Sequence, residues 1–196
     1  MSLIPSLPRA EPPPLLRGDA VFLRYPHAAD FEEWSALRGA SRAFLTPWEP
    51  TWGTNDLTRT SYRQRLRRYQ RDVRDDKGYA FFIFDAGTGA LAGGATLSNV
   101  RRGVSQACSL GYWMGEAYAG RGMMRRALTA LLPHIFGKLA LHRIEAACLL
   151  DNERSQRLLR SLGFVEEGVA RQYLRINGAW RDHVLFALLA ADKQPR

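Results

Sequence analysis

Residues 110–132, LGYWMGEAYAGRGMMRRALTALL, narrow the possible folds more than any other stretch of this chain. Gly111-Tyr112-Trp113-Met114 has strand character, and a short turn follows with Gly120-Arg121-Gly122. Apolar residues then recur at Met124, Leu128, Leu131 and Leu132, the spacing of one helix face. A strand that passes through glycines into a helix leaves the first helical N–H groups unpartnered at the positive end of the helix dipole. Glycines also let an anion approach that backbone closely, so the expectation is a seat for phosphate or pyrophosphate. Two common phosphate turns match poorly. A P-loop calls for Lys and then Ser or Thr after the second glycine, where this chain has Met123-Met124. A dinucleotide turn calls for a third glycine near position 125, which is Arg125.

The rest of the chain alternates strands and helices around that unit. Residues 19–25 place Val21, Leu23 and Tyr25 as a first strand, and Asp30 is positioned to cap a helix carrying Phe31, Trp34 and Leu37. Pro47 and Pro50 mark a loop, and residues 58–76 read as a strongly basic helix. Residues 79–85 and 90–98 flank Gly87-Thr88-Gly89 as a hairpin, and residues 104–114 continue the sheet. Pro133 is expected to kink or shorten the helix after Gly122. Residues 142–150 are β-rich, and Asp151-Asn152 start a helix with Leu158, Leu159 and Leu162 on one side. Gly163 stands where a C′ glycine belongs, with Phe164 as the apolar contact beyond it. Strands over 165–176 and 180–189 meet across Asn177-Gly178. The order β-α-α-β-β-β-α-β-α-β-β implies an α/β (α+β) domain, a mixed sheet covered by helices.

Length and charge bound the function classes. A chain of 196 residues is most simply one domain with a sizeable core. Its apolar runs fall short of the roughly 18 residues that span a membrane. Pro5, Pro8 and Pro12-Pro13-Pro14 break up residues 1–17, which read as a flexible lead-in rather than a signal sequence. Cys108 and Cys148 are too few for a disulfide framework, which fits a reducing cytoplasm. The formal charge of +9 favours acidic partners: a polyphosphate cofactor, RNA or an RNA-rich particle.

The glycine turn resembles the pyrophosphate turn of the GNAT (GCN5-related N-acetyltransferase) superfamily, Gln/Arg-x-x-Gly-x-Gly/Ala. Here Ala119 replaces the leading Gln or Arg and Met124 the final small residue. The family's later motif, Asn-x-x-Ser followed by Leu and Gly-Phe, is present as Asn152-Glu153-Arg154-Ser155, Leu158-Leu159 and Gly163-Phe164. Three further pieces look like the RimJ-type ribosomal-protein-alanine N-acetyltransferases, a branch of the RimJ/RimL group. They are Pro47-Trp48-Glu49-Pro50, residues 98–103 (SNVRRG) and residues 177–183 (NGAWRDH). The resemblance covers residues 18–190 as one acetyltransferase domain, between the lead-in of 1–17 and a tail of 191–196. It implies a mostly antiparallel mixed sheet whose central parallel strand pair splays apart.

The activity implied is transfer of acetyl from acetyl-CoA to an amine, directly through a ternary complex and without a metal. Backbone N–H groups near Trp113 and Met114 are expected at the thioester oxygen. Gly120, Arg121, Gly122, Met123, Met124 and Arg125 are expected at the pyrophosphate, with Arg126 as a further source of charge. Asn152 is a candidate for the pantetheine arm, or simply a helix N-cap. Relatives carry a Tyr acid where this chain has Leu159, which leaves Ser155 as the nearest hydroxyl to the sulfur. Glu145 and Glu116 are the candidate bases. The basic helix, with Arg59, Arg63, Arg65, Arg67, Arg68, Arg71 and Arg74, is either a solvated face or a contact for ribosomal RNA.

The resemblance points to the N-terminal alanine of a small-subunit ribosomal protein as acceptor. The alternatives are another amine, such as a small metabolite or antibiotic, and a ribosome-assembly role for the basic helix. A monomer and a homodimer are both compatible with the sequence.

Overall fold

Strand pairing builds one eight-stranded sheet across residues 15–193, the part of the chain that the computed structural model describes. The strands are β1 (Leu15–Gly18), β2 (Val21–Arg24), β3 (Tyr79–Asp85), β4 (Leu91–Arg101), β5 (Ala107–Met114), β6 (Arg143–Leu149), β7 (Val165–Ile176) and β8 (Ala179–Leu189). Their spatial order is β1-β2-β3-β4-β5-β6-β8-β7. Every neighbouring pair is antiparallel except β5 and β6, which run parallel at the centre. The helices are α1 (Phe31–Ala40), α2 (Arg42–Leu45), α3 (Arg59–Arg74), α4 (Met123–Pro133) and α5 (Glu153–Ser161).

The near-continuous apolar run of β3, YAFFIFD, follows from cover on both faces of the sheet. Phe81 and Ile83 join the core containing Leu128, Leu131 and Ile135, whereas Phe82 and Phe84 pack with Phe31, Trp34, Tyr62 and Leu66 of α1 and α3. Leu128 and Leu131 are almost fully buried, and truncating either to Ala should cost about 2–5 kcal/mol.

The turns carry their expected chemistry. Asn177 and Gly178 have φ of 44° and 83°, the paired left-handed residues of a tight β7–β8 hairpin. Gly163 (φ 89°) ends α5 with its N–H on the Arg160 carbonyl, while the Phe164 N–H reaches that of Leu159. Pro133, which has no N–H to donate, ends the regular winding of α4. The chain continues as a π turn over His134–Lys138.

Some elements differ from expectation. Leu15–Gly18 pairs with β2, so the last part of the lead-in is a strand, and residues 1–14 lie outside the described part. Ala190–Lys193 form a 3-10 turn within the expected tail, and residues 194–196 also lie outside. Val104 is fully exposed in a loop, and β5 begins only at Ala107. Asp30 precedes α1 without capping it through its side chain. Its carboxylate instead accepts from the His27 N–H and forms a two-bonded ion pair with Arg24. No helix among the described residues is long and apolar enough to cross a membrane.

Candidate active site

The parallel pair of β5 and β6 is registered only at Ala107↔Arg143, Cys108↔Ile144 and Ser109↔Glu145. Beyond that rung β5 continues against β4 to Met114, and β6 continues against β8 to Leu149. A wedge therefore opens between the strands toward their C-terminal ends, the usual place for a ligand in a parallel arrangement. The Gly115 N–H donates to the Ala92 carbonyl at 2.8 Å, with Gly93↔Met114 and Gly94↔Trp113 in register. Strand alternation then turns the backbone of Trp113 toward β4 and directs the N–H groups of Tyr112 and Met114 into the wedge.

Both walls of the wedge lead into helices. From β5 the chain passes a 3-10 turn at Glu116–Tyr118 and reaches Gly120 and Gly122, each at φ 74°. Gly122 is the N-cap of α4 and offers no side-chain cap. The Arg126 N–H bonds the Gly122 carbonyl, so the N–H groups of Met123, Met124 and Arg125 precede the first intrahelical bond. The side chains of Met123 and Met124 are buried in the core, so these two residues can offer only backbone to a ligand. Arg121 and Arg125 are exposed at the turn. Arg126 is differently engaged, bonded to the Arg121 carbonyl and paired with Asp19.

From β6 the chain enters α5 through Asn152. Its Oδ1 accepts the Ser155 N–H at 3.1 Å, so the capping role holds and the amide nitrogen is left for another partner. Leu159 is buried core, but a phenol not foreseen from the sequence stands beside Ser155: the Tyr112 hydroxyl lies 2.6 Å from Ser155 Oγ. Burial holds the Tyr112 phenol well above its ordinary pKa, against a smaller opposing effect of Ser155. Cys148, on β6, is buried next to the same hydroxyl pair, and burial raises its thiol.

Two expected site residues stand elsewhere. Glu145 sits on the last closed rung opposite Ser109, about 13 Å by strand rise from Trp113. Its carboxylate accepts from Arg101 (2.6 Å) and Arg143 (3.1 Å). Partial burial pushes its pKa up, but the two arginines outweigh this and hold it below the usual range. It is therefore a weakened proton acceptor at the closed end of the strand pair, an arrangement that speaks against the expected role of Glu145 as a base. Trp113 faces away from the wedge interior, with its backbone bonded to β4. Glu116 is exposed just beyond Met114, with its backbone N–H on Ser41 Oγ.

Trp113 instead helps line a cleft of about 340 Å³ with Trp34, Arg38, Glu49, Trp52 and Tyr69, which also reaches Gly111 and Tyr112 in the open part of β5. Arg38 makes a two-bonded pair with Glu49 (2.8 and 2.7 Å) and lies over the rings of Trp52 and Trp113. The Trp52 indole donates to the same Glu49, while the Asn177 N–H bonds the Glu49 carbonyl. The PWEP loop and the Asn177-Gly178 hairpin, separate in sequence, thus meet at one edge of the cleft. A Cβ on Gly94 would lie 2.6 Å from the Trp113 indole nitrogen. The Gly93-Gly94 pair inside a strand was the available signal for this close approach.

Comparison with known proteins agrees with this arrangement. The acetyltransferase (GNAT) domain family matches residues 20–165. The [ribosomal protein uS5]-alanine N-acetyltransferase of Escherichia coli (strain K12) is 37% identical over 180 residues, covering 92% of this chain and 93% of that protein. The probable N-acetyltransferase YjcK of Bacillus subtilis (strain 168) is 33% identical over 180 residues, covering 92% and 99%. Among solved structures, Mycobacterium smegmatis RimJ in complex with CoA-disulfide superposes with a TM-score of 0.86 at 34% identity, covering 93% of this chain and 89% of that one. With the splayed parallel pair, the glycine turn and the Asn-x-x-Ser helix start in place, the chain belongs to the GNAT family of N-acetyltransferases and is similar to its RimJ-type members.

Proposed function

We propose that this protein transfers the acetyl group of acetyl-CoA to the α-amino group of a protein N-terminus. The acceptor in this reading is an alanine end of a small-subunit ribosomal protein in the cytoplasm. The observation that carries the reading is the position of the open part of β5 between two spaces. The wedge on one side has anion-binding features at its mouth, and the aromatic cleft on the other takes lining residues from β4 and α1 and reaches Gly111, Tyr112 and Trp113. Two substrates approaching from these sides meet along the open part of β5, which suits direct transfer without a covalent enzyme intermediate.

The chain's own groups fit acetyl-CoA. The N–H groups of Met123, Met124 and Arg125, with the side chains of Arg121 and Arg125, receive the pyrophosphate. The Asn152 amide holds the pantetheine arm, and the Met114 N–H bonds the thioester oxygen as it gains charge. A preorganised donor of that kind is worth about 3–4 kcal/mol. The acceptor nitrogen forms its bond to the carbonyl carbon, the C–S bond breaks, and Ser155 donates to the departing sulfur. The nitrogen gives up one proton and the sulfur gains one, so the products are an amide and a thiol.

The weak provision for a base suits an α-amine. Glu49 is engaged by Arg38 and Trp52, and Glu116 is exposed, acting through water. At pH 7.4 about a third of α-amines are neutral, against about one lysine in a thousand. The Escherichia coli relative named above for alanine ends supports the same choice of acceptor.

The test is thiol release from acetyl-CoA with peptides bearing N-terminal Ala, Ser or Met, and with an N-blocked peptide offering only lysine. Turnover confined to free ends, highest for Ala, is expected. Cofactor binding with turnover only on a small amine would replace the reading.

A further inference from the structure

Tyr112 and Ser155 are 43 positions apart in sequence, yet among the described residues their hydroxyls form a hydrogen-bonded side-chain bridge across the wedge. Tyr112 projects from β5 beyond its last rung with β6. Ser155 lies in the first turn of α5, where its backbone N–H is pinned to Asn152 Oδ1. Their 2.6 Å separation is at the short end for paired hydroxyls. Each hydroxyl has one proton, so the direction of this bond decides what Ser155 can do. If Ser155 donates to Tyr112, only its lone pairs face the wedge. If Tyr112 donates to Ser155, the serine proton is released from the phenol and can turn to the sulfur, the neutral Cys148 thiol being the weaker competing acceptor beside it.

We infer that Tyr112 is a positioning residue that donates to Ser155 Oγ and so commits the serine proton to the departing thiolate. The inference rests on the acetyl-transfer reading above. Negative charge growing on sulfur reinforces the chain Tyr112 to Ser155 to sulfur, because each bond polarises the next. The groups facing the phenol are Ser155 from α5 and Cys148 from β6, and the raised thiol pKa of Cys148 keeps it neutral. Tyr112 keeps its proton throughout. The proton that comes to rest on sulfur leaves through Ser155, whose oxygen recovers one from the acylated nitrogen by way of water. The phenol thereby acts from β5 at one remove, using serine as the final donor.

A double-mutant cycle tests this. Tyr112→Phe removes one oxygen from a half-buried ring and should keep the fold, as checked by its melting temperature and CoA affinity. The expected result is kcat lowered about tenfold with KM for acetyl-CoA unchanged. In a Ser155→Ala background the same change should have no further effect, because the group through which it acts is gone. Independent losses that multiply in the double variant, or an unchanged kcat in Tyr112→Phe, would overturn the inference. Wild-type protein that binds acetyl-CoA but turns over no amine would fail the underlying reading instead, so the two failures are separable.

Discussion

Gly122 offers a way to separate stability from cofactor recognition. It caps α4 at φ 74°, a region where an L-residue costs about 1–2 kcal/mol. For a domain of this size that lowers Tm by about 2–8 °C. A Cβ there would meet only the Arg126 guanidinium, at 3.9 Å, so Gly122→Ala should fold. The added methyl instead enters the space before the N–H groups of Met123 to Arg125, where the proposed function puts the pyrophosphate. Losing two charge-assisted bonds of about 1.5 kcal/mol each amounts to about 3 kcal/mol, or roughly a hundredfold in affinity. Calorimetric titration with CoA, and kinetics with acetyl-CoA against acetyl-pantetheine, provide the assay. The variant should lose about a hundredfold in kcat/KM with acetyl-CoA and little with acetyl-pantetheine, which lacks the nucleotide diphosphate. Gly122→Asn should behave alike with a smaller Tm loss, since Asn tolerates the left-handed region. Equal losses with both thioesters would refute the assignment of the turn.

Three further outcomes follow from the geometry. Glu145→Gln should leave kcat unchanged from pH 6 to 8, measured by thiol release, because the carboxylate serves Arg101 and Arg143 rather than the amine. Its folded pKa lies below that of the unfolded chain, so its contribution to stability is present above about pH 4.5 and fades as pH falls through the folded value. Melting curves should therefore separate Glu145→Gln from wild type at pH 7 and converge in acid. The kcat/KM profile for an Ala-headed peptide should rise with pH and level off near pH 8, as the α-amine loses its proton; a rise continuing past pH 9 would indicate lysine. On α3, Arg63, Arg67 and Arg71 are exposed and spaced along one stripe, whereas Arg59 pairs with Glu32 and Arg65 lies against Trp34. A ribosomal-RNA contact through this stripe predicts that changing the three to Glu weakens RNA binding and flattens its salt dependence by about 2–3 units of slope, with peptide turnover intact; no change in RNA binding would assign the stripe to a solvated face.

Features written in local chemistry were legible in the sequence. Gly122, Gly163 and Asn177-Gly178 each occupy positive φ at a turn or helix end, and those requirements act over a few residues. The apolar spacing of α4 likewise announced a buried face. Features created by tertiary meeting were not legible. Tyr112 reads as an ordinary strand residue until α5 brings Ser155 to it. Glu145 reads in the sequence as a carboxylate on the strand beside the site, yet the register puts it on the closed rung between two arginines. Leu15–Gly18, with only four residues and partial burial, carries too little pattern to separate it from the proline-rich segment before it. Arg38, Glu49 and Trp52 form one cluster only because the PWEP loop folds back over α1 and meets the Asn177-Gly178 hairpin.

Tandem mass spectrometry of one acetylated peptide tests the central claim most directly. The peptide would carry a free N-terminal alanine and an internal lysine, so both amines compete in the same molecule at pH 7.4. The account predicts that acetyl is found on the alanine nitrogen, with lysine unmodified until the α-amine is exhausted. Acetyl on the lysine nitrogen while the alanine remains free would contradict it.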